Sequence, residues 1–172
     1  PQRVTCVDKS NVLRGCRLCR KIFDEIAEEY GDIETTKAFI DAFTMWLVRD
    51  PEDLDVVVLP NMFGDIATDL ASVLQGGMGM AASANIGDKH MLFEPVHGAA
   101  FDIMGKGIAN PLATVSAVAM MLDHFGETVA AERVDKAVAK CLEQRTILTV
   151  DRGGTASTSE MGDEAARLIR EG

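Results

Sequence analysis

No apolar run in this 172-residue sequence approaches the roughly 18 residues a helix needs to cross a bilayer, and no basic-then-apolar leader opens it. A soluble, cytoplasmic protein with no membrane partner is expected. Basic residues are in short supply: 17 Lys and Arg stand against 27 Asp and Glu, a formal net charge of −10. Binding a phosphate backbone relies on Lys and Arg displacing counterions, so nucleic acid is not an expected partner either. No G-x-G-x-x-G string occurs, which removes a Rossmann phosphate loop. No internal repeat and no low-complexity tract is present. The first residue is Pro1, not Met, and Val4 to Val7 already reads as a strand, so the chain is expected to be part of a longer protein.

Four cysteines are present, and Cys16 and Cys19 have C-x-x-C spacing. A tetrahedral zinc site needs a second Cys or His pair, and the sequence has none at suitable spacing. Val12, Cys16, Cys19, Ile22, Phe23 and Ile26 recur at helical spacing, so packing on the buried stripe of an amphipathic helix is the preferred reading of both thiols.

Strand-like and helix-like segments alternate with short connections, which is the pattern of an α/β protein. A strand at Val4 to Val7 leads to a helix from about Val12 to Tyr30, closed by Gly31. Extended chain near Glu34 to Ala38 precedes a helix over Ile40 to Arg49. Asp55 to Leu59 reads as a strand buried on both faces, and a helix follows over Phe63 to Leu74. Glycines from Gly76 to Gly87 predict a loop-rich passage suited to a hinge or tight turns. A short strand is expected at Met91 to Glu94, then irregular chain to Asn110, which is placed as the N-cap of a helix with Pro111 in its first turn. A helix over Thr128 to Gln144, a strand over Ile147 to Val150, a Gly153-Gly154 turn and a helix from Thr158 complete the chain.

Chemistry enters with Asp65 and Asp69. Four residues apart on a helix, their carboxylates are neighbours, and like charges there repel unless something neutralises them. A hard dication such as Mg²⁺ or Mn²⁺ would do so, although most such pairs are simply solvated. Five strings occur around this pair in fixed order: Val7-Asp8-Lys9-Ser10-Asn11-Val12-Leu13; Ile40-Asp41-Ala42; Leu59-Pro60-Asn61-Met62-Phe63-Gly64-Asp65-Ile66-Ala67-Thr68-Asp69; Glu94-Pro95-Val96-His97-Gly98-Ala99-Ala100-Phe101-Asp102-Ile103-Met104-Gly105-Lys106-Gly107-Ile108-Ala109-Asn110-Pro111; and Gly153-Gly154-Thr155-Ala156-Ser157-Thr158. Together they resemble the isopropylmalate/isocitrate dehydrogenase family, the NAD-linked β-decarboxylating dehydrogenases, and the resemblance extends over essentially the whole chain.

The resemblance implies an α/β, isopropylmalate/isocitrate dehydrogenase-like three-layer fold, incomplete because the N-terminal half is absent. Residues 1–75 would form part of a central, dimerising and metal-binding domain, and residues 76–172 part of a cofactor-binding domain. Asp65 and Asp69, with Asp41 from the partner subunit of a homodimer, would hold Mg²⁺ or Mn²⁺. Lys9, also reaching across the dimer, would be the general base on the 2-hydroxyl of a small hydroxy acid, a task that requires a neutral amine. Asn11 would sit near the nicotinamide. His97, Gly98, Asp102, Ile103 and Asn110 would line the adenosine side of the cofactor. The Asp102 carboxylate would accept from ribose hydroxyls and repel a 2′-phosphate, which favours NAD over NADP.

Family members usually carry a hydroxyl residue and a proline where this chain has Ala99 and Phe101, which takes a side-chain donor and a rigid turn out of the loop. The tyrosine that returns the proton and the arginines that grip substrate carboxylates lie, in the family, before the lysine. Arg14, Arg17 and Arg20 follow it and are expected to form the solvated face of the first helix. Isopropylmalate, isocitrate, homoisocitrate, tartrate and D-malate all remain open as substrates. Two functions are in view: part of an NAD-dependent enzyme that oxidatively decarboxylates a 3-substituted malate, or a truncated dimerising or cofactor-binding module without turnover.

Overall fold

The computed structural model describes residues 2–172. The chain divides into two compact units, one running to Ala71 and the other from Ser72.

The first unit is a three-stranded parallel sheet with helices between its strands. The strands β1 (Arg3–Asp8), β2 (Glu34–Phe39) and β3 (Val56–Val58) lie in the order β2-β1-β3. β1 is central, and its residues from Thr5 to Asp8 are fully enclosed. The helices are α1 (Arg14–Ala27), α2 (Ile40–Arg49) and α3 (Asn61–Leu74). Val7, Ala38, Phe43, Leu47 and Ala67 form the core, with Trp46, Leu59 and Leu70 packed against it.

Three expectations change here. The first helix starts at Arg14, because the Lys9 carbonyl accepts from the N–H groups of both Val12 and Leu13 and turns the chain first. Its stripe is apolar as the spacing requires, yet only Cys16 is buried, while Val12, Ile22 and Ile26 are exposed. Val4, Cys19, Phe23, Tyr30 and Val58 line an open apolar groove of about 410 Å³ along that face. β3 is not buried on both faces: it is an edge strand with Val56 and Val58 exposed, because only β1 pairs with it among the described residues.

In the second unit, β4 (Ala82–Ile86) pairs antiparallel with β5 (Met91–Pro95), and the helices are α4 (Leu112–His124), α5 (Thr128–Gln144) and α6 (Thr158–Glu171). β4 falls in the passage read as loop, since Ala-Ser-Ala-Asn has little of the β-branched and aromatic character that announces a strand. The helices enclose Leu112, Val138, Cys141, Met161 and Leu168, with alanines on α4 and α5 allowing close approach. The expected strand at Ile147 to Val150 does not form. Leu148 and Thr149 direct their carbonyls to Ala156, Arg152 and Gly154, so the backbone closes on itself as a turn, with a 3₁₀ helix at Val150–Arg152. α6 opens on a capping box in which Ser157 accepts from the Glu160 N–H and Glu160 accepts from the Ser157 N–H.

Candidate active site

Lys9 follows the carboxyl end of β1 and Asp41 stands in the first turn of α2, just past the carboxyl end of β2. Parallel strands pointing the same way bring these ends together, the customary place for ligand-binding groups in an α/β sheet. Lys9 Nζ donates to Asp41 Oδ1 at 2.6 Å, and the ammonium lies 5.7 Å from the centre of the Phe39 ring. That hydrogen bond, foremost among the causes, holds the Asp41 carboxyl below its ordinary value.

Asp65 and Asp69 stand four residues apart on the exposed side of α3, the placement the spacing requires. Asn61 Nδ2 donates to Asp65 Oδ2 at 2.8 Å, which orients that carboxylate. Among the described residues, no three His, Cys, Asp or Glu side chains gather as a metal ion would need. One chain therefore does not bring Asp41 to Asp65 and Asp69. The donors are nevertheless hard carboxylates of the type that suits Mg²⁺ or Mn²⁺.

The turn after β1 is anchored from α1, a feature the sequence did not announce. Asp8 is fully buried and accepts from Arg20 twice, at 2.7 Å from Nε and 2.9 Å from Nη2, and from the Ser10 N–H at 2.8 Å. Burial works to raise the Asp8 carboxyl, but the Arg20 and Ser10 hydrogen bonds outweigh it and hold the group below its ordinary value. Arg20 is thus not part of a solvated face. Arg17 donates to the Ser10 carbonyl at 2.8 Å but stays exposed, as Arg14 does, so two of the three arginines lie on the solvated face expected. Burial, followed by the Asp8 charge, pushes the Cys6 thiol up to about 11, and all four cysteines are free.

In the second unit, His97, Gly98, Ile103 and Asn110 line one cavity of about 740 Å³ together with Met78, Gly79 and Asp151. The lining is mostly apolar with a few placed polar groups, and the volume lies within the roughly 300–1,000 Å³ of small-molecule and cofactor sites. A nucleoside fits such a space. Asp102 does not join the lining: it sits exposed in the tight turn that carries Ile103 and Met104 to the wall. Asn11 belongs to the first unit, exposed in the turn after β1.

Asn110 reaches the cavity, but its amide is committed to the framework. Its Oδ1 accepts from the Leu112 N–H at 2.9 Å, capping α4 much as an N-cap would although the helix begins at Leu112, and its Nδ2 donates to Asp151 Oδ2 at 2.9 Å. Thr149 Oγ1 donates to the other Asp151 oxygen. Asp151 was not singled out from sequence. Its only signal is adjacency to the Gly153-Gly154 string, and the turn that brings it to Asn110 is tertiary. Thr158, from the same string, donates through its N–H to the Gly107 carbonyl and through Oγ1 to the Ala109 carbonyl, and so holds the cavity's far rim.

A family model described as isocitrate/isopropylmalate dehydrogenase matches residues 1–165. The 3-isopropylmalate/3-methylmalate dehydrogenase of Methanocaldococcus jannaschii is 49% identical over 170 residues, 98% of this chain and 51% of that protein. The homoisocitrate dehydrogenase of the same organism is 46% identical over 170 residues, 98% of this chain and 48% of that protein. Among solved structures, the isocitrate dehydrogenase of Methylococcus capsulatus superposes with a TM-score of 0.90 at 44% identity, over 98% of this chain and 51% of that one. The chain spans about half the length of the curated relatives it matches. Its α/β fold is theirs over that span, and the chain belongs to the isocitrate/isopropylmalate dehydrogenase family.

Proposed function

We propose that this chain is part of a longer NAD-dependent dehydrogenase that oxidises and decarboxylates a 3-substituted (2R)-malate, such as 3-isopropylmalate or isocitrate, with Mg²⁺ or Mn²⁺. The observation that carries the reading is the contact of Lys9 with Asp41, at 2.6 Å, beside the carboxyl ends of two parallel strands. A base and a metal carboxylate that serve one substrate need to be neighbours, and here one chain supplies both.

In this reading, residues 1–75 contribute dimerisation and the metal ligands, and residues 76–172 the cofactor side. Asp41 of one subunit and Asp65 and Asp69 of its partner would hold the dication. Lys9, as a neutral amine, takes the proton of the substrate's 2-hydroxyl, and hydride leaves C2. The dication, when bound, would supply Lewis acidity, and NAD would supply the hydride acceptor. Loss of CO₂ from C3 then leaves an electron pair to be protonated by a general acid that this chain does not contribute. His97, Gly98, Ile103 and Asn110 would enclose the adenosine, with Asp102 exposed in the same loop, outside the lining.

NADH production by the full-length enzyme, with Mg²⁺ and a panel of 3-substituted malates, tests the reading. Turnover is expected from the full-length protein and none from this chain alone. Activity of the chain alone would contradict the claim that essential groups lie outside it. The second reading, a cofactor-binding module without turnover, fits the isolated chain, because the cavity is built wholly from residues of one unit.

A further inference from the structure

The strongest interaction made by the turn that carries Lys9 lies on the side away from solvent. Asp8 is enclosed, and a buried carboxylate persists only if its lone pairs are met by donors. Arg20 meets two of them in a planar fork, and the Ser10 N–H shares one of the two oxygens. The same guanidinium donates from Nη2 to the Ala38 carbonyl at 3.3 Å and lies 5.0 Å from the centre of the Phe39 ring. Ala38 and Phe39 end β2, and Asp41 follows two residues later. One arginine on α1 therefore grips both strand ends: the one that presents Lys9 and the one that presents Asp41.

We propose that Arg20, locked to Asp8, is the positioning residue that fixes Lys9 and Asp41 relative to each other for the proton-transfer step. This rests on the reading of Lys9 as the general base. A lysine stem has four rotatable bonds, so its amine reaches a substrate hydroxyl reproducibly only if the backbone at its root is held. Arg17, through the Ser10 carbonyl, braces the same turn more weakly. Neither arginine touches substrate in this scheme. Lysine cannot replace Arg20, since an ammonium lacks the fork that spans the carboxylate and the Ala38 carbonyl at once.

The test uses the full-length enzyme with NAD, Mg²⁺ and whichever 3-substituted malate it turns over, comparing wild type with Arg20→Lys and Arg17→Met. Thermal unfolding of each variant reports the folded fraction. In folded Arg20→Lys, kcat is expected to fall about 100-fold, the scale of a misplacement near 1 Å, while KM for NAD changes far less, because the residues that would line the adenosine side belong to the other unit. Arg17→Met, which has no donor for the Ser10 carbonyl, is expected to fall about 10-fold, on the scale of one lost hydrogen bond, and wild-type kcat in it overturns the bracing of this turn if Arg20→Lys does not fold. Arg20→Lys is also expected to retain more activity than Arg20→Met, since an ammonium keeps one contact to Asp8. Wild-type kcat in a folded Arg20→Lys variant, or losses of kcat and NAD affinity in step as general damage would produce, overturns the positioning role while leaving the dehydrogenase reading intact. No turnover by wild type on any of the malates overturns both.

Discussion

Alanine placed at Gly153 and at Gly154 separates two physical reasons for a glycine within one turn. Gly153 has φ of +79° and open space around a would-be Cβ, so Gly153→Ala meets only the intrinsic left-handed penalty, about 1–2 kcal/mol. At Gly154 the backbone is ordinary, but a Cβ would lie 1.9 Å from the Leu148 carbonyl oxygen and 2.5 Å from its carbon. Real Cβ contacts essentially never fall under 3.0 Å, so backbone must part from backbone by about 1 Å. That displacement breaks the bonds from the Gly154 N–H to the Thr149 carbonyl and from the Ala156 N–H to the Leu148 carbonyl, both in a region where Thr149 is fully buried. Two hydrogen bonds lost with groups left unsatisfied come to about 2–5 kcal/mol. Thr149 and Asp151 move with the turn, so NAD affinity should weaken as well. Denaturant unfolding of the full-length enzyme and its two variants gives the energies, and NAD titration gives the affinities. Equal costs at the two positions, or a Gly154→Ala variant within about 0.5 kcal/mol of wild type, would refute the reasoning.

Asp65→Asn in the full-length enzyme is expected to reduce both Mn²⁺ binding, followed by titration, and turnover; undiminished binding and activity would remove the metal assignment. Ser157→Ala deletes the capping-box acceptor at the start of α6 and should lower stability by about 1 kcal/mol in chemical denaturation. The Asp8 carboxyl titrates below its ordinary 3.8 when folded, so the unfolded chain takes up the proton first as pH falls. Its contribution is complete above that value and disappears as pH drops through the lowered folded value, so the stability gap between wild type and Asp8→Asn should shrink with acid below about pH 4. With its thiol pushed up to about 11 and no exposure, Cys6 should label with a thiol reagent at pH 8 only after unfolding.

Sequence alone determined the alternation of strands and helices, because period-2 and period-3.6 patterns are local, and it determined the five ordered strings on which family membership was read. It also placed Asp65 and Asp69 on one face, since a four-residue step on a helix allows nothing else. Only the tertiary structure decided which charges are solvent-facing and which are structural. Arg14, Arg17 and Arg20 read alike in sequence, yet Arg14 and Arg17 stay exposed while Arg20 turns inward, because Asp8 and Ala38 arrive from two other elements to meet it. β4 and the turn after Leu148 escaped for the same reason: a strand needs a neighbour and a turn needs its own carbonyls met, and both partners are distant or non-periodic. The pairing of Lys9 with Asp41 crosses 32 residues and depends on two strands lying parallel in register, which no local pattern encodes.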